Sequence, residues 1–280
     1  MKFTPFARAR RLAAGQHAVV TGGSSGLGLA LARRLAERGL SITLLARNEA
    51  ALASAAAQIT KSVPAAIVDC RVADVADRAG LEAALEFLPR GIDVLVNSAG
   101  ILREGYFETL PDSDFRDVME TNFFGTLNSI RATLPQLKQS GGRIVNIASV
   151  AGLTGVFGYT PYCAAKHALV GFTESLRFEL EPQGVRVQLV CPAEFDSPMV
   201  DALDRTRTPE NREHTLTIPK LGIDELADTT ISDIDAGHRT IIPGTKTQLL
   251  VAAQRIAPAL GNAIARRRIE AVYTDPRSRS

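Results

Sequence analysis

Residues 17–28 read His17-Ala18-Val19-Val20-Thr21-Gly22-Gly23-Ser24-Ser25-Gly26-Leu27-Gly28, a short apolar run that breaks into glycines and then resumes with Leu27, Leu31 and Leu35 at helical spacing. The first five residues fit a buried strand, and residues 26–38 fit a helix with one apolar face. Glycines at 22, 26 and 28 let the backbone turn tightly, approach a pyrophosphate and pack the helix on the sheet, while the helix N-terminus offers unpaired N–H groups to phosphates. The spacing G-x-x-x-G-x-G differs from the dinucleotide fingerprint G-x-G-x-x-G. Its position at the first strand-to-helix junction is what marks it as a nucleotide-binding turn.

The same alternation continues outward. An apolar strand is expected at 41–46, an alanine-rich helix near 49–60, a strand at 65–69, a helix near 77–88 and a strand at 93–97. A helix around 112–138, a strand at 143–148, a helix around 160–181 and a strand at 185–191 follow. Strands separated by long helical stretches require crossovers, so the pattern predicts an α/β fold. It is a single-domain, doubly wound parallel sheet, Rossmann-like, with helices on both faces, binding ligands outside the carboxyl ends of its strands. Residues 17–245 are read as this catalytic domain and the polar, irregular stretch 194–222 as a substrate lid within it. Residues 1–16 form a basic arm and 246–280 a helical extension.

Composition narrows the partners. The chain has 280 residues, 45% hydrophobic and 22% charged, enough for one substantial core. Lys and Arg number 32 against 30 Asp and Glu, a net charge of +2 that gives no electrostatic ground for a nucleic-acid partner. Cys70, Cys163 and Cys191 suit free thiols and a cytoplasmic setting, and His17, His167, His214 and His238 lack ligand spacing, so no metal is expected. No run approaches the roughly 20 apolar residues of a spanning helix. Residues 1–16, with Lys2, Arg8, Arg10 and Arg11 beside Phe3 and Phe6, lack the apolar core of a secretory signal. They read either as a frayed terminus or as an arm resting on an anionic membrane surface.

The end of the second strand speaks to the nucleotide. NAD-binding proteins place a carboxylate there for the ribose hydroxyls, whereas a 2′-phosphate needs a cation. Leu44-Leu45-Ala46-Arg47-Asn48 puts alanine where the acid would sit and Arg47 beside it, which favours NADP(H). Farther on, Tyr162-Cys163-Ala164-Ala165-Lys166 sets a phenol and an ammonium one helical turn apart, about 6 Å along the axis. A fixed cation favours the phenolate and brings a pKa of about 10 toward working pH. Alone, such a pair is far more often a packed tyrosine and a surface lysine.

It is not alone. Asn97-Ser98-Ala99-Gly100 follows the fourth strand, Asn122 lies in the next helix, Ser149 precedes Tyr162 by thirteen residues and Pro192 follows the sixth strand. With the glycine turn, these residues give residues 15–200 a resemblance to the short-chain dehydrogenase/reductase family. The resemblance implies that Tyr162 gives a proton to a substrate carbonyl oxygen and that Ser149 hydrogen-bonds that oxygen. Lys166 would bind the nicotinamide ribose and lower the tyrosine pKa, and Asn122 would hold a water linking Lys166 to solvent. For the cofactor it implies contacts from Gly22, Ser24, Ser25, Gly26, Leu27, Gly28, Arg47, Tyr162 and Lys166. Asp74 and Val75 would lie near the adenine ring, with Asp69 offering a second register, and Asn97, Ala99 and Gly100 on the adenosine side. Ile147 to Ser149 would run beneath the nicotinamide, and Pro192 and Ser197 would be near it. Tyr159 is a rival phenol, but four residues on stands Cys163, not a lysine. Where the family commonly has Pro-Gly and then a threonine, this chain reads Pro192-Ala193-Glu194-Phe195-Asp196-Ser197.

Within the family, Ile42 to Glu49, Gly155 to Thr160 and Asp196-Ser197-Pro198 are similar to 3-ketodihydrosphingosine reductases, which reduce the keto group of a long-chain base with NADPH. This implies a lipid-like ketone substrate. The apolar stretch Thr247 to Ile264, followed by Arg266-Arg267-Arg268, then reads as a peripheral membrane contact or as a helix docked on the protein, interrupted by Pro258. Another hydrophobic ketone or acyl-chain carbonyl is the second enzymatic reading, and a non-catalytic NADP(H) sensor or scaffold is a third of another class. Family resemblance further implies a homodimer or homotetramer through the helices around 112–138 and 160–181.

Overall fold

Apolar runs that must be covered on both sides become the central strands. The computed structural model describes residues 11–88, 90–217 and 220–274. Its elements run β1 (His17–Thr21), α1 (Gly26–Glu37), β2 (Ser41–Ala46), α2 (Glu49–Ser62), β3 (Val68–Val72), α3 (Arg78–Glu86) and β4 (Val94–Asn97). Then follow α4 (Asp112–Met119), α5 (Gly125–Ser140), β5 (Arg143–Ile147), α6 (Thr160–Leu180) and β6 (Arg186–Val190). The last are α7 (Pro198–Leu203), α8 (Pro209–Thr215), α9 (Ile223–Ala236), β7 (Thr240–Ile241), α10 (Thr245–Ile256) and α11 (Pro258–Thr274).

Among the described residues the sheet has seven parallel strands in the order β3-β2-β1-β4-β5-β6-β7. The strand order reverses between β1 and β4, and this switch point opens a crevice at the carboxyl ends. The expected doubly wound fold is therefore the one found. The period of two along β1 sorts the core. Ala18 and Val20 join Leu31 and Leu35 of α1, Leu52 and Ile59 of α2 and Ile231 and Ile234 of α9. Val19 points to the other face, where Leu81 and Leu85 of α3, Ile130 and Leu137 of α5 and Leu180 of α6 lie. Each fully buried leucine contributes about 2 kcal/mol, so the two layers hold the sheet from both sides.

Differences from the expected elements have local causes. The third strand is Val68–Val72, three residues later than 65–69, because pairing with β2 sets its register from Ile42 opposite Val68 to Ala46 opposite Val72. The helix around 112–138 comprises α4, a π-helical turn at Glu120–Phe124 and α5, which accommodates Pro135. The stretch 194–222, expected to be irregular, contains α7 and α8, capped by the hydroxyls of Ser197 and Thr208. Helix α9 and strand β7 add to the sheet beyond the expected six strands. The apolar stretch 247–264 is split between α10 and α11 at Ala257, before Pro258. Residues 1–10 of the basic arm lie outside the described residues.

Candidate active site

A cleft of about 360 Å³ follows the carboxyl ends of the strands. At one end the chain leaves β1 through Gly22, whose N–H donates to Leu45 O at 2.8 Å. Gly22 has a φ of +66°, and a Cβ there would lie 2.8 Å from the Ala99 backbone. A Cβ on Gly28 would collide with the Gly22 carbonyl. The turn is thus compressed to a form that only hydrogen side chains permit. Ser25 sits at the N-cap of α1 without using its hydroxyl as a cap, and no acid lies in the first turn. Backbone N–H groups, free hydroxyls and absence of negative charge fit a pyrophosphate.

Gly22, Ser24, Ser25, Gly26, Leu27, Gly28, Arg47, Asp74, Val75, Ala99, Gly100, Pro192 and Ser197 all line this cleft with Ser149, Tyr162 and Lys166. Two expected residues do not. Asn97 is buried beneath it, where its amide donates to Asn146 Oδ1 at 2.8 Å, and Asn146 donates on to Thr173 Oγ1 at 2.9 Å. Asn122 lies behind the wall in the π-helical turn, accepting from Ile101 N at 2.8 Å and donating to Ile101 O at 2.9 Å. It still approaches the lysine, since a Cβ on Gly100 would lie 3.2 Å from Asn122 Oδ1 and 3.9 Å from Lys166 Nζ. Asp69, the rival for Asp74, bonds Arg71 instead at 2.8 Å.

Arg47 is 65% exposed in its side chain and its Nη1 stands 3.9 Å from Asp74 Oδ2. The cation expected for a 2′-phosphate thus shares its site with an acid. Asp74 is held by accepting from Ala76 N at 3.0 Å.

At the opposite end, Lys166 is buried and donates from Nζ to Ile147 O at 2.9 Å, with Nζ 5.5 Å from the Tyr162 ring centre. Burial pulls its ammonium down to about 8. Burial also pushes the Tyr162 phenol up to about 12, against the opposing hydrogen bond from Ser149. The expected depression of the tyrosine by the lysine is not what sets its pKa; desolvation by the protein's own walls is the largest cause, and the Ser149 hydrogen bond alone opposes it. Ser149 is fixed as the cap of a short 3₁₀ turn, its Oγ accepting from Ala151 N at 3.1 Å.

Around the cleft, pairings between side chains that no periodic pattern signals hold the wall. Glu194 accepts from Arg207 Nη2 at 2.7 Å and Lys220 Nζ at 2.9 Å, and Arg207 reaches Thr215 Oγ1 at 2.9 Å. Phe157 is gripped by α8, its N–H donating to His214 Nδ1 at 3.0 Å while Asn211 Nδ2 donates to its carbonyl. These partners are separated by long loops, so neither helical nor strand periodicity links them.

A glycine turn shaped for a pyrophosphate and a group of half-buried Ser149 and Tyr162 with buried Lys166, at the two ends of one switch-point crevice, fit a nicotinamide-nucleotide oxidoreductase. Residues 16–208 match the family model described as short chain dehydrogenase, and the chain belongs to that family. It is 36% identical over 225 residues to a putative ketoacyl reductase of Streptomyces coelicolor, covering 79% of this chain and 83% of the relative. Identity is 35% over 231 residues to the 3-ketodihydrosphingosine reductase of Bos taurus, covering 80% and 70%. Among solved structures, a short chain dehydrogenase/reductase from Burkholderia phymatum in complex with NAD superposes with a TM-score of 0.78 at 27% identity, over 90% of this chain and 96% of that one. Among the described residues, no helix is long and apolar enough to cross a membrane.

The crowding at the glycine turn makes Gly28→Ala a sharp test. Its methyl group forces the turn apart, and nucleotide affinity in a fluorescence titration is expected to fall at least about tenfold, equivalent to about 1.4 kcal/mol.

Proposed function

We propose that this chain reduces a ketone to a secondary alcohol with NADPH, and that the substrate is a long-chain 3-keto lipid of the 3-ketodihydrosphingosine kind. The observation that carries the reading is the single cleft that holds Arg47 and the glycine turn at one end and Ser149, Tyr162 and Lys166 at the other. In this reading Gly22 to Gly28 hold the pyrophosphate, and Arg47, with Ser24 and Ser25, meets the 2′-phosphate. Ala99, Gly100, Asp74 and Val75 take the adenosine side, and Pro192 and Ser197 the nicotinamide side. When bound, the reduced nicotinamide supplies a hydride.

The chain's own groups do the rest. The Ser149 hydroxyl hydrogen-bonds the ketone oxygen and fixes its direction. Tyr162 delivers its phenolic proton to that oxygen as negative charge grows there. Lys166 keeps its ammonium beside the phenol, stabilising the phenolate left behind, and Asn122 positions the water through which the proton is restored. The relative named as a ketoacyl reductase favours a second reading, reduction of an acyl-chain 3-ketone by the same residues.

Residues 17–245 form the catalytic unit in this reading and 194–222 its substrate lid, with 246–280 as an extension. The exposed Leu249, Ile256 and Ile264, beside exposed Arg266, Arg267 and Arg268, support peripheral contact of that extension with a membrane from the cytoplasmic side. Exposed Phe178 on α6 and Phe124 before α5 support self-association through those helices.

Reduction of 3-ketodihydrosphingosine, followed by NADPH absorbance, tests the whole. Tyr162→Phe is expected to lower kcat by about 10²–10⁴-fold with nucleotide binding retained; unchanged turnover refutes the role given to the phenol. Arg47→Ala is expected to reduce the preference for NADPH over NADH by at least about tenfold, or about 1.4 kcal/mol, and an unaltered ratio removes Arg47 from the cofactor site. Because burial lowers Lys166 to about 8, its ammonium is present below that pH and lost above it. Reduction measured as kcat/KM should therefore fall as pH rises through about 8.

A further inference from the structure

Tyr159 is a second phenol in the wall of the same cleft. It is 5% exposed, packed among Ala151, Val156 and Leu203, and its ring lies 5.7 Å from that of Tyr162 at 75°. Its hydroxyl makes no hydrogen bond to any described residue. A hydroxyl that lines a ligand cleft without a protein partner is free to meet a polar group of the ligand.

The surroundings specify what kind of group it meets. The backbone on either side is pinned. Tyr159 N donates to Val156 O at 3.2 Å, Cys163 N donates to Tyr159 O at 2.7 Å, and Phe157 is held by Asn211 and His214. The ring therefore has no route out of the wall. Desolvation drives its pKa well above the usual phenol range, the nearby Arg207 and Glu194 acting in opposite directions. The hydroxyl keeps its proton, and with Cys163 rather than a lysine one turn on, it binds rather than exchanges it. Glu194, Asp204, Arg207 and Lys220 form one ion cluster whose formal charges cancel. No net charge of that cluster competes for the hydroxyl.

We infer that Tyr159 is a specificity-determining residue whose hydroxyl hydrogen-bonds a second polar group beside the reducible ketone, so that the cleft selects bifunctional ketones over simple ones. This rests on the ketone-reductase reading above and adds to it the class of substrate. Two kinds of ketone carry such a group: a 2-amino-3-ketone, as in a long-chain base, and a 3-oxoacyl thioester, with its second carbonyl. Both place a donor or acceptor two or three bonds from the ketone carbon that Tyr162 and Ser149 address, and Tyr159 adjoins Tyr162 in the same wall.

The full chain and Tyr159→Phe are compared at saturating NADPH on three ketones matched in chain length: an unsubstituted ketone, the 2-amino-3-ketone and the 3-oxoacyl thioester. Phenylalanine keeps the ring and its packing, and thermal unfolding with NADPH titration checks that fold and cofactor site are intact. The expected result is that wild type favours one of the bifunctional ketones. The variant raises KM for that one about tenfold, as loss of one buried hydrogen bond predicts, with kcat and the unsubstituted ketone unaffected. The ketone that responds identifies the second group. A uniform change on all three, or none on either bifunctional ketone, overturns the inference while leaving ketone reduction standing. Failure of wild type to reduce any of the three overturns both. A Tyr159→Leu variant, lacking the ring, should damage the unsubstituted ketone as well, and damage by Leu with a Phe variant that matches wild type on every substrate would assign Tyr159 to packing alone.

Discussion

Two loop tips meet backbone to backbone where the sheet reverses its strand order, and the cleft depends on that meeting. Thr21, the last residue of β1, accepts at Oγ1 from the N–H groups of Ser98 and Ala99, both at 3.2 Å, just past the end of β4. Gly22 then lies so near Ala99 that no side chain fits between them. One hydroxyl and one missing methyl group thereby fix the floor on which a dinucleotide rests, and they set the entry angle of α1. The more distant end of the cleft is aligned by β5 and β6, whose register brings Ser149 and Pro192 side by side, with Val150 N donating to Pro192 O at 2.9 Å.

The catalytic end shows how far a folded chain alone can tune its groups. Burial opposes charge on either partner, so it lowers Lys166 and raises Tyr162, moving both toward their neutral forms. Only the Ser149 hydrogen bond works the other way on the tyrosine. A protonated phenol suits a proton donor, and the lysine is left near the pH at which its charge can be gained or lost.

Legibility followed burial. Strands β1 and β2 are covered on both faces, their apolar runs are unbroken, and the sequence marks their limits at His17, Thr21, Ser41 and Ala46. Strand β3 is a half-exposed edge reading Val-Asp-Cys-Arg-Val, so its signal is faint and its position was misjudged. The lid misled for the opposite reason. Its charged and amide residues suggested exposed loop, yet Arg207, Glu210 and Asn211 are all buried, satisfied by partners far away in sequence. Such pairs leave no periodic trace. The cleft-lining positions were readable because glycine, serine, tyrosine and lysine stand at fixed offsets from strand ends. Asn97 points under the crevice, where its amide bonds Asn146, because a residue at a strand end can point either into the crevice or under it and only tertiary structure decides. The unpaired hydroxyl of Tyr159 likewise becomes visible only once its neighbours are in place.

The polar interior of the lid has a dynamic consequence. Helix α8 is attached through Glu104 to Thr208, Tyr106 to Glu210, Asn211 to Phe157 and Arg207 to Glu194, bonds that water can replace one for one. Detaching it exposes little apolar surface compared with opening the leucine layers on the sheet, so its local unfolding free energy lies well below that of the core. Helix α8 is accordingly a separable cooperative unit, able to exchange its backbone protons while the sheet beneath stays folded.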